Sequence, residues 1–451
     1  MAYEGLRAIL DALEIFRPVL TEPSFRNFIV LFSGWVLTGG THAITQALIE
    51  TAVPGREHHE KYHRFFSRGT WDPDKLGHCL FDWIVSLSSK ESPIRIVLDD
   101  TLATKKGSKV HGIGSHLDAV RSTKLFKVFA FGHVWVMLCV VVSVPFSSRP
   151  WALPVMFRLY RNKKECKGKG DAHRKKTELA HEMLKVVAGW AGERRLWLSM
   201  DCAYCNDTVL RDLPSSIVVF GSMRPDAVLT AVPVPKNGGE KTGGRPPVRG
   251  KLLPKPEKLA KDDRSPWQKC KATLYGKTEM VQYKELSAQW YRACGAQLLR
   301  IVVVKVNTGS IGLRVFFCND LTLSVRQILE GYGDRWSIEV CFRNLKQLLG
   351  FGDSSARKKA AVLRTAPFVG FIYTILVLWF MKGIHQTTLA TPPLRPWYSH
   401  KRGLSFADVL RAAQRTLAPM DVLDPARSLN NLHKPVAREE RPSVRPRKAA
   451  A

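Results

Sequence analysis

A mixed α/β fold, opened by a helical segment and interrupted by a β-rich stretch, is what this sequence predicts. Apolar residues recur at helical spacing over residues 1–90, and from Ile94 the texture changes to short Val-, Ile- and Leu-dominated runs. A single clear helix divides those runs. The length of 451 residues suffices for two or three domains, each with a core of its own.

In chain order, Leu10, Leu13, Phe16 and Leu20 mark a first helical face. Phe28–Leu37 and Thr41–Ile49 follow across Gly39-Gly40, a pattern that suits a DNA-binding helix-turn-helix as well as any helical bundle. Residues 1–90 are therefore expected to be a helical, DNA-binding domain. Residues 91–234 carry strands at Ile94–Leu98, His133–Val142 and Pro154–Leu159. A helix over Thr177–Arg194 comes next, with Leu179, Met183, Val186 and Trp190 on one face, then strands at Leu196–Met200 and Ile217–Phe220. Two basic, glycine-containing runs, Arg161–Lys176 and Pro235–Pro266, cannot offset the cost of burial and are expected as exposed loops. Thr278–Val306 and Leu313–Phe317 resume strand texture, so residues 235–317 read as a β-rich insertion domain with a basic linker. Residues 318–400 return to the core. Residues 401–451 combine a helical segment with a basic tail, Lys434–Ala451, expected to be disordered.

Lys and Arg number 69 against 39 Asp and Glu, a net charge of +30. With 45% hydrophobic and 24% charged residues a wholly disordered chain is excluded. The positive excess calls for a polyanionic partner, with nucleic acid ahead of an anionic membrane. No cleavable signal pattern opens the chain, and the apolar run Ala366–Met381 is shorter than the roughly 18–20 residues a bilayer demands. Nine scattered cysteines suggest free thiols in a reducing compartment. Cys202 and Cys205 form a lone CxxC without a second pair at a zinc spacing. His59-Glu60-Lys61-Tyr62-His63 matches HExxH, but Phe66 stands where the extended motif wants glycine and its third histidine is missing.

The chemistry concentrates in three places. Asp99-Asp100-Thr101 directly follows one apolar strand and Asp201 directly follows another. Carboxylates at neighbouring strand ends can converge on hard cations. The third is the stretch from Tyr332 to Lys346, which reads as one helix. At ~100° per residue, Tyr332, Arg335, Glu339 and Lys346 share a face within about 60°. A carboxylate flanked by Tyr and two cations suits a site that handles phosphate.

The order Asp100…Asp201…Glu339, with Tyr332-x2-Arg335-x3-Glu339-x6-Lys346, resembles the DDE transposases of bacterial insertion sequences and, within them, the group with the YREK signature. Asp201-x-x-Tyr204 and the segment from Tyr62 to Trp71 resemble further blocks of that group, and the likeness covers roughly residues 55–385. It implies an RNase-H-like core in which Asp100, Asp201 and Glu339 hold two Mg²⁺ ions, with Mn²⁺ able to substitute. Such a core cleaves the ends of a mobile element and joins them to target DNA. The Asp-Thr pairing of the group favours Asp100 over Asp99, since strand alternation lets only one of the two face the metals. The likeness further implies that Arg335 and Lys346 hold DNA phosphates, with Tyr332 beside them. A tryptophan of the insertion would stack on a flipped base, for which Trp267 and Trp290 are candidates. The partner would be double-stranded DNA, both terminal repeats and target, engaged by a homodimer in the bacterial cytoplasm and nucleoid, without a membrane. The competing readings are a catalytically silent DNA-binding descendant and a metal-dependent nuclease that does not join strands.

Overall fold

The spacing of apolar residues in the opening segment produces helices where it predicts them. In the computed structural model, which describes residues 2–107, 109–233, 248–274, 277–305, 313–393, 396–398 and 403–433, they are α1 (Ala2–Leu13), α2 (Glu22–Leu37), α3 (Ile44–Glu50), α4 (Glu60–Ser67) and α5 (Pro73–Ser86). Capping sets two of the starts. Thr21 accepts from the Ser24 N–H at 3.4 Å and Asp72 from the Asp74 N–H at 2.9 Å, each with proline in the first turn. α2 is buried along most of its length, and α3, ITQALIE, has no cation and ends on Glu50. The expected N-terminal helical domain is present, and its Leu6, Phe28, Trp35, Phe66 and Leu80 belong to the same apolar core as the sheet.

The sheet begins with β1 (Ile94–Thr104), β2 (Gly114–Leu117), β3 (Phe129–Val142) and β4 (Trp151–Tyr160). Then come α6 (Lys163–Lys167), α7 (Lys176–Ala191), β5 (Leu196–Met200), α8 (Asp207–Leu210) and β6 (Ile217–Met223). β4, β3 and β1 are antiparallel neighbours, whereas β1, β5 and β6 run parallel. The spatial order β4–β3–β1–β5–β6, with α7 crossing between the two halves, is RNase-H-like, as expected. β2, Gly-Ser-His-Leu, is too short to show a period and escapes the sequence pattern. The run Arg161–Lys176 is more ordered than a solvated loop. Arg161 pairs with Glu165 and, at 2.6 Å, with Asp171; Lys169 pairs with Glu165 at 2.9 Å; and Lys176 opens α7.

Next in the chain are α9 (Pro256–Lys261), β7 (Gln268–Leu274), β8 (Lys277–Gln289), α10 (Tyr291–Cys294), β9 (Leu298–Lys305) and β10 (Arg314–Cys318). β10 pairs antiparallel with β6, and β9, β8 and β7 follow outward. The β-rich stretch is thus no domain apart: it prolongs the core sheet to ten strands among the described residues. The physical reason is the open edge of β6, whose unpaired backbone groups require a partner. The start of the expected basic linker and the expected disordered tail, Lys434–Ala451, lie outside the described residues.

The chain closes with α11 (Val325–Gly333), α12 (Trp336–Leu348), α13 (Lys359–Met381), α14 (Phe406–Leu417) and α15 (Pro425–His433). By length and composition α13 could cross a membrane, yet 89% of its apolar window is buried inside the protein. A helix apolar on all sides is here the central core helix. It touches α1, α4, α5, α14 and β4.

Candidate active site

Strand alternation in β1 sends Asp99 and Asp100 to opposite faces of the sheet. Asp100 faces α7: its carboxylate receives Lys176 Nζ at 2.8 Å and the Tyr204 hydroxyl at 2.7 Å. Asp99 faces α12, where Arg335 Nη1 lies 3.6 Å from its Oδ2 and 2.7 Å from Glu339 Oε1. The guanidinium therefore bridges Asp99 and Glu339. Asp201 stands directly after β5, and its Oδ1 accepts from the Cys202 N–H at 2.7 Å. β5 is the parallel neighbour of β1, so Asp201 emerges beside the aspartate pair.

The charges interact strongly. Burial, then the adjacent Asp100, pushes the Asp99 carboxyl up to about 7, Asp201 adds to the rise, and Arg335 and the Asp100 N–H oppose it. Burial and the Asp100 carboxylate keep the Tyr204 phenol protonated. Burial pulls against the Arg335 charge, but Tyr332, Glu339 and Asp99 more than compensate.

The residues from 332 to 346 do not form one helix. α11 stops at Gly333 and α12 starts at Trp336, with Asp334 and Arg335 between them as a short elbow of right-handed backbone. The elbow is pinned from several sides. Ser199 Oγ donates to the Gly331 carbonyl at 2.6 Å, Arg95 holds Asp334 at 3.1 Å, and Ser337 Oγ donates to the Asp334 carbonyl at 2.6 Å. A Cβ on Gly331 would meet the Phe220 ring at 2.7 Å, so glycine lets α11 approach β6. Glu339 and Lys346, two turns apart on α12, keep their shared face. Tyr332 does not join them. It is 9% exposed, donates to Ser222 Oγ at 3.2 Å and packs on Phe316 at 4.6 Å, with Arg335 above its ring at 5.9 Å. Tyr332 therefore supports Arg335 from below and offers no hydroxyl to a phosphate.

Lys346 points outward from α12; crowding by protein lowers its pKa, and Asp118 acts in the opposite sense. Trp290 is partly buried, edge-on to Phe317 at 5.6 Å, and Trp267 lies under Lys284 at 4.9 Å. Both serve as packing residues in this arrangement. Trp336, 44% exposed, opens α12 three residues before Glu339. Sequence reasoning passed over Trp336 and Lys176, although the YREK spacing and the basic run before α7 contain them. A cleft of about 650 Å³ lies at the opposite ends of β5 and β6, lined by Arg195, Ser215, Ile217 and Asn319, and takes no part in this site.

Among the described residues, no three His, Cys, Asp or Glu side chains are gathered as a finished metal site, which includes the HExxH and CxxC segments. The donor chemistry of Asp99, Asp201 and Glu339 nevertheless fits a hard divalent cation. All are oxygen donors, and the mutual repulsion around Asp99 is charge that such a cation would neutralise.

A family model described as DDE superfamily endonuclease matches residues 16–292. The matched stretch contains Asp99, Asp100, Asp201 and Tyr204 and ends before Glu339. No curated protein matches the chain. Among solved structures, a piggyBac transposase synaptic complex with hairpin DNA aligns at a TM-score of 0.40 and 10% identity, covering 93% of this chain and 74% of that one.

Proposed function

Because the chain belongs to the DDE superfamily endonucleases, we propose that it is a DNA transposase of the YREK-signature group of bacterial insertion sequences. It cuts the ends of its own mobile element and joins them to target DNA, acting as a homodimer that holds two ends. The observation that carries this reading is the Arg335 guanidinium, 3.6 Å from Asp99 and 2.7 Å from Glu339, with Asp99 on a strand whose parallel neighbour ends at Asp201. The YREK spacing supports the narrower family, and the net charge of +30 supports a DNA partner.

Asp99, Asp201 and Glu339 would hold the metal, with Asp99 in place of the Asp100 that the Asp-Thr pairing favours. Asp99 is joined to Glu339 of α12 through Arg335, whereas Asp100, on the other face of β1, is committed to Lys176 and Tyr204. A divalent cation, Mg²⁺ or Mn²⁺, would supply Lewis acidity for phosphoryl transfer. Arg335 orients Glu339 and restrains Asp99. Lys346 offers a point charge to a DNA phosphate, and Asp100, Lys176 and Tyr204 brace the turn after β5.

The test is cleavage of a duplex taken from the DNA flanking the coding region, with Mg²⁺ or EDTA. Glu339→Gln and Asp99→Asn should abolish cleavage while leaving duplex binding intact. Asp100→Asn, which disturbs a supporting contact, should cost about 10–100-fold. Full activity of Asp99→Asn with none in Asp100→Asn would return the ligand role to Asp100. Cleavage without joined products on a target plasmid would reduce the protein to a nuclease, and binding without cleavage would make it a DNA-binding descendant.

A further inference from the structure

The β2–β3 hairpin is an anomaly for a protein surface. Leu117, Val120, Leu125, Phe126, Phe129 and Phe131 are 47%, 93%, 99%, 68%, 65% and 43% exposed. Contiguous apolar surface of this kind marks an interaction site. The register places Leu117 opposite Phe129 and Ser115 opposite Phe131, so Leu117, Phe129 and Phe131 share one face of the ribbon. The tip is a built turn. Thr123 N–H donates to the Phe126 carbonyl at 2.8 Å, Phe126 N–H to Thr123 Oγ1 at 2.9 Å, and Val128 N–H to Ser122 Oγ at 3.0 Å. Leu125 and Phe126 are thereby held outward at its end.

Two observations choose the occupant. The exposed apolar residues alternate with Arg121, Lys124 and Lys127, all exposed, against one carboxylate, Asp118. Asp118 is itself consumed by the Val120 and Arg121 N–H groups and by Arg121 at 3.6 Å. Apolar side chains interleaved with cations match unstacked bases between phosphates. The hairpin also adjoins the candidate active site. On the Glu339 side, Asp118 at the base of the hairpin acts on the charge of Lys346 of α12. On the other face of β1, His116 of β2 meets the Tyr160 ring at 5.7 Å, and that ring lies 5.8 Å from the Lys176 ammonium that holds Asp100.

We propose that the β2–β3 hairpin is a DNA wedge: Leu125 and Phe126 enter the base stack of a duplex lying over the carboxylates, while Arg121, Lys124 and Lys127 hold its phosphates. This rests on the reading of the protein as a DNA-cutting enzyme. It moves the base-unstacking role from Trp290 to a segment the sequence pattern left unassigned.

The probe is a synthetic duplex with a central two-base mismatch containing 2-aminopurine, compared with its fully paired counterpart, using the full-length chain. Wild-type protein should raise 2-aminopurine fluorescence on the mismatched duplex. Leu125→Ala/Phe126→Ala should abolish the rise and weaken binding to that duplex about tenfold or more, with an unchanged melting temperature because both residues are exposed. Lys124→Ala/Lys127→Ala should weaken both duplexes alike and flatten the salt dependence. A double alanine variant that keeps wild-type affinity and fluorescence would overturn the wedge. So would one that turns a dimer into a monomer in sedimentation with both DNA readouts unchanged, since the hairpin would then be a self-association surface. Wild-type protein that binds neither duplex would overturn the proposed function itself; wild-type that binds and cleaves, matched by the double variant, would overturn the wedge alone.

Discussion

Asp99 is held where an ionised carboxyl is disfavoured, and that has a consequence for stability as well as for chemistry. Its carboxyl rises from 3.8 to about 7 in the folded protein, through burial first and Asp100 second. Between those values the native state binds more protons than the unfolded chain, so stability falls as pH increases through the window. Asp99→Asn removes that loss. The variant should melt higher than wild type at pH 8 in EDTA, by roughly 2–4 kcal/mol of stability, and equal it near pH 4. Equal melting curves across the range would show that Asp99 is solvated. His133 works in the opposite sense. It is 2% exposed, its Nε2 is 2.9 Å from the His111 carbonyl, and burial pulls its pKa down to about 4. The unfolded chain then binds the extra proton, so this contribution is complete above about pH 6.5 and lost as pH falls towards 4. His133→Gln should unfold with a flatter dependence on pH between those limits, measured by urea titration; an unchanged slope would mean that other groups carry it.

At the scale of elements, the elbow between α11 and α12 decides where Glu339 points. Gly331 admits α11 against Phe220, and Ser199 and Arg95 fix the turn that follows. Gly331→Val forces a side chain into that contact and should cost about 1–3 kcal/mol in denaturant unfolding. Cleavage should fall further than the stability loss explains, because α12 is displaced with its carboxylate; activity in proportion to the folded fraction would separate elbow from site. The elbow also shows what the sequence can express. The spacing from Tyr332 to Lys346 is compatible with one helix, and Gly333-Asp334 weakens that helix without dictating a bend. Only the anchors on β1 and β5, distant in sequence, make the break. The strands were legible because their apolar runs are bounded by turns and charges. The choice between Asp99 and Asp100 was not: alternation says that they diverge, and the packing of α7 and α12 says which way.

For the whole molecule, one core replaces the separate domains that the change of texture near residue 91 suggests. Composition and periodicity describe each segment's own face but not what covers it. Phe368 of α13 meets Phe28, Trp35 and Phe66 at 5.5, 5.7 and 5.2 Å. Polar bonds tie the same seam. Arg364 donates to the Trp71 and Phe66 carbonyls at 3.0 Å each, Trp379 Nε1 to the Gly5 carbonyl at 3.1 Å, and Trp35 Nε1 to the Leu349 carbonyl at 3.0 Å. Removing residues 1–90 would strip apolar cover from α13 and leave the Arg364 and Trp379 donors without their carbonyls. A chain starting at residue 91 is therefore expected to be insoluble or to lack a cooperative transition, whereas the full chain should unfold from helices and sheet together. Phe368→Ala in the full chain should cost about 3–5 kcal/mol. Its effect should appear equally in far-ultraviolet circular dichroism and in tryptophan fluorescence, since Trp35 and Trp71 lie in the seam and the sheet lies beyond it. Two separated transitions, or a soluble chain from residue 91 that still cleaves DNA, would show that the catalytic sheet stands without its helical cover.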